Sequence, residues 1–284
     1  MYLIVSKRAL NDAGTTYEMV IEAPLVAKRC RAGQFVVLRL DEYGERIPLT
    51  IADYDRAAGT ITVMFQPTGA TTNMLKLLEP GERLSDVAGP MGRPTETAGL
   101  RTAAVLGGGV GCAIAYPVAK ELHRCGIEVD MIAGFRSKNI IVLEREMEQV
   151  CTNLYMCTDD GSYGFHGFTT QKLEELIRGG RKYDTIFALG PTPMMKFACI
   201  ATKPYNVRTI VSLNPIMIDA TGMCGCCRVT VGGETKFACV DGPEFDGHLV
   251  DWDELIARNS FYKEEEAEKA GHVCRLTGGV RHAE

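Results

Sequence analysis

Hydrophobic and polar residues alternate with a period of two through TTYEMVIEA (15–23) and TITVMFQ (60–66), while GQFVVLRL (33–40) is an apolar, β-branched run behind a glycine turn. A two-residue period puts successive side chains on opposite faces of an extended chain, so these segments predict β-strands. Short strands at this spacing, bounded by turn residues, point to a small antiparallel barrel over residues 1–95. TTNMLKLL (71–78) predicts one helix within it, with Thr71 or Thr72 as N-cap and Pro80–Gly81 as the stop. GPMGRP (89–94) reads as a linker.

Past residue 100 the pattern changes. RTAAVLGGG is a buried strand running into a glycine turn, and AIAYPVAKELHRCG predicts a helix, with Pro117 tolerable only near its first turn and Gly126 closing it. Strands at IEVDMIAGF, NLYMCT (153–158), DTIFALG (184–190) and VRTIVSL (207–213) then alternate with helices at 139–150, 169–178 and 191–203. That alternation predicts a parallel-sheet α/β domain over residues 96–213. Residues 214–260 form an irregular, cysteine-rich segment, and 261–284 read as a charged helix and tail.

Composition narrows the function. Hydrophobic residues at 46% and charged residues at 24% are ordinary for a globular chain and argue against wholesale disorder. A net charge of −5 gives no basis for nucleic acid as the main partner. No apolar run reaches the length of a membrane span, and MYLIVSKRALND lacks the pattern of a signal peptide, so a reducing, cytoplasmic setting is expected. In that setting disulfides do not account for 11 cysteines. Cys30, Cys112, Cys125, Cys151, Cys157, Cys199 and Cys274 are scattered and are expected as small buried side chains. Cys224, Cys226, Cys227 and Cys239 fall within sixteen residues and need another explanation.

Four motifs carry candidate chemistry. In LGGGVG (Leu106–Gly111) a strand meets glycines and then a helix, which lets backbone N–H groups approach a pyrophosphate. The spacing departs from G-x-G-x-x-G, and no acidic residue ends the next strand, so a plain glycine turn competes with this reading. In RIPLTI, Arg46, Pro48 and Thr50 share one strand face, where an arginine can clamp a phosphate; an ordinary edge strand is the alternative. QPTGATTNM places Gly69, Thr71 and Thr72 at a helix start, suited to a phosphate or to routine capping. Cys224 and Cys227 are spaced C-x2-C and Cys239 follows; with Gly222 and Gly225 between and before them, three thiolates suit an iron–sulfur or zinc centre. The natural fourth ligand is Asp219, five residues before Cys224, and Cys226 points away. No histidine pair has ligand spacing, and Asp159–Asp160 reads as a loop lining a nucleotide cleft rather than an acid–base pair.

In this order the motifs resemble the ferredoxin reductase-like superfamily, in its dihydroorotate dehydrogenase electron-transfer-subunit branch, over about residues 1–260. The resemblance implies an FAD-binding antiparallel barrel, an NAD(P)-binding parallel-sheet domain and a C-terminal 2Fe–2S subdomain. By it, Arg46, Pro48, Leu49 and Thr50 meet the flavin, with Thr50 near the reactive nitrogen, and Gln66, Gly69, Thr71 and Thr72 hold the FAD phosphates. Gly107, Gly108, Gly109, Val110 and Gly111, with Thr158, Asp159, Asp160, Gly190, Pro191, Pro193 and Met194, line the nicotinamide-nucleotide cleft. Arg136 and Lys138 could meet a 2′-phosphate or be plain surface charges; family analogy favours NAD(H) over NADP(H).

The orotate branch usually places a cysteine where this chain has Asp219. One aspartate and three cysteines make the chain more similar to the small subunits of NADH-dependent reduced ferredoxin:NADP oxidoreductases, which are electron-bifurcating flavoproteins. That resemblance implies a larger glutamate-synthase-like flavoprotein partner, and ferredoxin reached through it. The orotate-pathway subunit, a sulfide dehydrogenase subunit and, in a different class, a zinc-stabilised binding module are the competing readings.

Overall fold

The computed structural model describes residues 1–266 and 268. The first half builds β1 (Tyr2–Ala9), β2 (Tyr17–Glu22), α1 (Pro24–Arg29), β3 (Phe35–Arg39), β4 (Ile47–Asp55), β5 (Thr60–Phe65), α2 (Ala70–Leu77), β6 (Arg83–Leu84) and β7 (Asp86–Met91). The seven strands form one antiparallel sheet in the order β6-β1-β2-β5-β4-β3-β7. Its inner face follows the two-residue period: Met19, Ile21, Val36, Leu38, Ile51, Ile61 and Val63 are buried together. Each such side chain contributes about 1.5–3 kcal/mol when fully buried.

Three sequence expectations change here. GPMGRP is not a linker, because its first half lies in β7, which pairs with β3. The N-cap of α2 is Gly69, not Thr71 or Thr72; Thr72 sits at the third helical position, where its hydroxyl accepts from the Gly69 N–H at 3.0 Å. RIPLTI is not an edge strand, since β4 lies between β5 and β3.

The second sheet draws on β8 (Thr102–Gly108), β9 (Glu128–Phe135), β10 (Asn153–Thr158), β11 (Phe165–His166), β12 (Thr185–Leu189) and β13 (Arg208–Ser212). They pair in parallel in the order β11-β10-β9-β8-β12-β13. Strand order reverses between β8 and β12, which opens a crevice outside the carboxyl ends of the strands. The connections run through α3 (Gly111–Arg124), α4 (Glu144–Glu148), α5 (Thr169–Arg178) and α6 (Thr192–Thr202). The helix predicted over 139–150 is reduced to a 3-10 turn at Lys138–Ile140 and the single turn of α4, with Leu143 between them at φ +60°. Pro117 is the seventh residue of α3, well past the first turn. An interior proline costs about 3 kcal/mol; burial of Cys112, Ala115, Val118, Ala119 and Leu122 along the helix offsets it.

The cysteine-rich segment is not a separate appendage. Its hairpin, β14 (Arg228–Val231) and β15 (Glu234–Phe237), turns on Gly232 and Gly233, both at positive φ. Its next strand, β16 (Glu244–Asp246), adds antiparallel to β13 and completes the α/β sheet, so the boundary at residue 213 divides one sheet. α7 (Trp252–Arg258) follows, capped by the Asp251 carboxylate accepting from the Glu254 N–H at 3.0 Å. The predicted C-terminal helix and tail (261–284), with Cys274, lie mostly outside the described residues.

Cys30, Cys112, Cys157 and Cys199 are buried, as packing residues should be, and Cys151 is half-buried. Burial pushes the Cys157 and Cys199 thiols up to about 12, which makes them poor nucleophiles. Cys125 departs from expectation: it is exposed, because it caps the solvent-facing end of α3. Among the described residues no helix is long and apolar enough to cross a membrane.

Candidate functional site

The cysteine loop brings two of its proposed ligands together. Cys227 and Cys239 are buried, with their Sγ atoms 3.2 Å apart. Burial first, and then the neighbouring Cys227, push the Cys239 thiol up to about 12. Gly222 (φ +86°) and Gly225 (φ +67°) supply the left-handed turns that fold the loop around this pair. Cys224 is exposed. Asp219 is half-buried, and its two carboxylate oxygens accept from the Thr221 and Cys224 N–H groups, both at 2.9 Å. Those backbone bonds, opposed by modest burial, hold its carboxyl below the ordinary range. The Cys226 backbone carbonyl accepts from the Arg258 guanidinium at 3.1 Å.

Among the described residues no three cysteine, histidine, aspartate or glutamate side chains close into a metal-ligand set. The donor set nevertheless suits a thiolate-bound cluster. It offers a buried thiol pair, a third thiol at the loop surface, and a carboxylate tied to that third cysteine's own amide.

The cysteine loop rests on the barrel. Cys227, Ala238 and Cys239 pack with Phe35 and Val37 of β3. In β3 these two side chains alternate with Val36 and Leu38, which face the barrel core. Across the β3–β4 ladder Phe35 stands opposite Thr50 and Val37 opposite Pro48. Directly paired residues share a sheet face. Pro48 and Thr50 therefore lie on the cysteine-loop side of β4, whereas Leu49 packs against the barrel core. Arg46 is exposed just before the strand.

At the start of α2, Gln66 is exposed and Gly69 is half-buried, with open space where a Cβ would stand. The first N–H groups of any helix lack intrahelical partners and form a ready anion site. Thr71 is buried and its hydroxyl donates to the Glu45 carboxylate at 2.9 Å, while Thr72 closes its own loop. The structure thus engages both threonine side chains internally.

At the crevice the glycines have distinct reasons. A Cβ on Gly111 would stand 2.5 Å from the Gly190 Cα, and one on Gly108 would stand 2.5 Å from the Met194 Sδ. The N-terminus of α3 thus presses directly on the end of β12. Gly109, at φ +57°, has open space above it and donates its N–H to the Gly134 carbonyl at 2.8 Å. Val110 caps α3, and Pro191 caps α6 with Pro193 in its first turn. Arg136 follows β9 and is exposed, as are Asp159 and Asp160 after β10. All these positions follow the carboxyl ends of β8, β9, β10 and β12, so the sheet gathers them at one crevice.

Two side chains there are structural. The buried Thr158 hydroxyl donates to the Tyr163 carbonyl at 2.7 Å, and Asp160 accepts from the Ser162 N–H at 2.9 Å. Lys138 lies with its Nζ 5.3 Å from the centre of the Tyr163 ring, which occupies it as a cation–π partner. Phe35, Val37 and Glu45 were not anticipated. The unbroken apolar run FVVL is the signal for the first two, since a strand with both faces covered loses its alternation.

Comparison with known proteins agrees with this arrangement. Residues 214–251 match the model of the iron–sulfur cluster binding domain of dihydroorotate dehydrogenase B. The chain is 45% identical over 259 residues to a Thermotoga maritima dihydroorotate dehydrogenase B electron transfer subunit homolog, covering 91% of each. It is 34% identical to the electron transfer subunit of the Geobacillus thermodenitrificans enzyme, covering 85% of this chain and 94% of that one. Among solved structures, a chain of NADH-dependent reduced ferredoxin-NADP oxidoreductase is 42% identical with a TM-score of 0.91, covering 96% of this chain and 98% of that chain. An Amycolatopsis cytochrome P450 reductase, at 20% identity and a TM-score of 0.61, shares the fold over 72% of this chain and 65% of its own. A barrel, a parallel sheet and a cysteine loop in this order, with this identity along nearly the whole chain, place it in the dihydroorotate dehydrogenase B electron-transfer-subunit family.

Proposed function

We propose that this chain is a flavin- and 2Fe–2S-dependent electron-transfer subunit that moves electrons between NAD(H) and a larger partner flavoprotein. The observation that carries this reading is the shared face of β3 and β4: the candidate flavin residues Pro48 and Thr50 and the thiol pair Cys227–Cys239 meet on either side of Phe35 and Val37. When bound, FAD and the cluster supply the redox chemistry, the flavin exchanging electron pairs with the nicotinamide and the cluster passing single electrons.

The protein's part is to bind and orient. Arg46 offers a planar cation for a phosphate, and the backbone of Ala70–Thr72, behind the Gly69 cap, offers helix-start N–H groups to FAD's pyrophosphate. Gly107–Gly111 bring the start of α3 to the nucleotide phosphates, and Gly190, Pro191 and Met194 form the facing wall. Asp219, Cys224, Cys227 and Cys239 are the proposed cluster ligands; each Asp219 carboxylate oxygen accepts a single amide N–H and retains a lone pair that would bind iron.

The whole-length likeness to NADH-dependent reduced ferredoxin-NADP oxidoreductase supports an electron-bifurcating assembly, with a glutamate-synthase-like flavoprotein as the partner. The match of residues 214–251 to the dihydroorotate dehydrogenase B domain supports a second reading, with a dihydroorotate-oxidising partner. Anaerobic purification of the native complex tests both. Flavin and iron in the preparation, NADH-dependent bleaching and a co-purifying large flavoprotein are expected. A colourless, zinc-containing protein overturns the redox reading, and a dihydroorotate-oxidising partner selects the second.

A further inference from the structure

A cavity of about 580 Å³ lies between the barrel and the α/β domain, and none of the cofactor or cluster residues proposed above lines it. Its barrel wall carries Arg31, Asp53 and Arg56, and its α/β wall is the second half of α3, with Lys120, Glu121 and Arg124. Lys120 and Arg124 lie nine and thirteen residues beyond Gly111, which is about 13 and 20 Å along the helix axis at 1.5 Å per residue. This cavity therefore sits at the opposite end of α3 from the nucleotide crevice.

Its charges do not cancel. Lys120 reaches from α3 to Asp53 on β4, with contacts of 2.7 and 2.8 Å, and Arg124 is paired bidentately with Glu121 at 2.7 and 2.9 Å. Both carboxylates in the lining are thus engaged, and Arg31 and Arg56 remain as excess positive charge. They stand together: the Arg56 guanidinium donates to the carbonyl of Cys30, the residue before Arg31. The Arg56 Cζ also lies 4.6 Å from the centre of the Tyr54 ring, a cation–π contact. Both arginines act on Glu121 through space, so they share one electrostatic neighbourhood with the α3 wall.

We propose that this cavity binds a small doubly charged oxyanion, which bridges Arg31 and Arg56 of the barrel to Lys120 and Arg124 of the α/β domain. A volume of this order suits a small metabolite. Two arginines, one of them resting against an aromatic ring, suit the forked recognition of phosphate or carboxylate oxygens. A bound dianion adds to the Lys120–Asp53 and Arg8–Glu146 ion pairs that already link the two domains, and so favours one relative setting of the flavin-binding and nucleotide-binding halves.

The test uses the full-length holoprotein, titrated with inorganic phosphate and, separately, with succinate, against sodium chloride of matched ionic strength. Thermal unfolding and calorimetric binding are the readouts. The expected result is a saturable rise in unfolding temperature with one of the two dianions and none with chloride. Saturation by phosphate assigns a phosphorylated ligand, and saturation by succinate assigns a dicarboxylate. The Arg31→Gln/Arg56→Lys variant, which keeps the charge and stem at position 56, is expected to weaken that binding at least tenfold. Arg136→Ala, at the other crevice, is expected to leave it unchanged. A response lost in Arg136→Ala, retained in the double variant, or indistinguishable from chloride overturns the proposal.

Discussion

Phe35 stands directly opposite Thr50 across the β3–β4 ladder, while its ring packs against the loop that holds Cys227 and Cys239. One side chain thus adjoins both a candidate flavin residue and the candidate cluster loop. Truncating it in Phe35→Ala removes packing from both. A cost of about 3–5 kcal/mol is typical for a buried phenylalanine. The expected outcome is iron loss relative to flavin, and slower electron passage from NADH to a cluster-level acceptor. Iron-to-flavin ratio and stopped-flow cluster reduction measure these. An unchanged ratio and rate would remove Phe35 from the path.

Asp219 has two roles available, and they predict different variants. Its carboxylate already satisfies the Thr221 and Cys224 N–H groups. Asp219→Ala leaves those donors without their acceptor and is expected to loosen the loop and lower iron content. Asp219→Cys supplies a softer, thiolate ligand, so iron is expected to be retained with a shifted midpoint potential and a changed electron paramagnetic resonance spectrum. If the cysteine variant keeps both the wild-type spectrum and the wild-type potential, Asp219 caps the loop and does not bind the cluster.

Most of the fold was legible because its strands announce themselves by period and its helices by their alternation with those strands; α5 falls at the predicted TTQKLEELIR without a residue's difference. The failures share a cause in long-range packing. Pro90 reads as a linker until β3 is seen to need a partner on its outer edge, and Pro117 reads as a first-turn residue until burial of the surrounding helix outweighs it. The site was legible as motifs but not as an arrangement. Gly108 and Gly111 give no sign in the sequence that they face Met194 and Gly190, eighty residues away, and nothing local reveals Glu45 at the start of α2.

The glycines of the crevice make a graded prediction. Gly111→Ala places a methyl 2.5 Å from the Gly190 Cα and 2.6 Å from the Leu189 carbonyl oxygen, both backbone atoms with little room to move. Overpacking of this kind costs about 1–3 kcal/mol. Backing α3 away from β12 also withdraws its N-terminus from the crevice, so both a lower unfolding temperature and a raised KM for NADH are expected. Gly108→Ala meets the flexible Met194 side chain instead and is expected to cost less. Equal effects from the two substitutions would argue against close approach as the reason for Gly111.

Glu244 predicts a pH dependence of stability. It lies on β16 with its carboxylate against Gly33 of the barrel, and it accepts from the Thr95 hydroxyl at 2.7 Å. Burial, opposed by the Thr95 hydrogen bond and reinforced by the charge of Glu96, pushes its carboxyl up to about 7. The folded state therefore holds this proton more tightly than the unfolded chain does. Its contribution to stability is complete below the ordinary carboxylate range, declines as the unfolded chain ionises, and is lost as pH rises through about 7. Glu244→Gln keeps an acceptor for Thr95 and cannot ionise. Denaturant unfolding between pH 5 and 8 is expected to show a decline in the wild type that flattens in the variant, with the variant the more stable at the alkaline end. Parallel curves would mean that the Glu244 carboxylate is solvated and does not sense the joint between barrel and sheet.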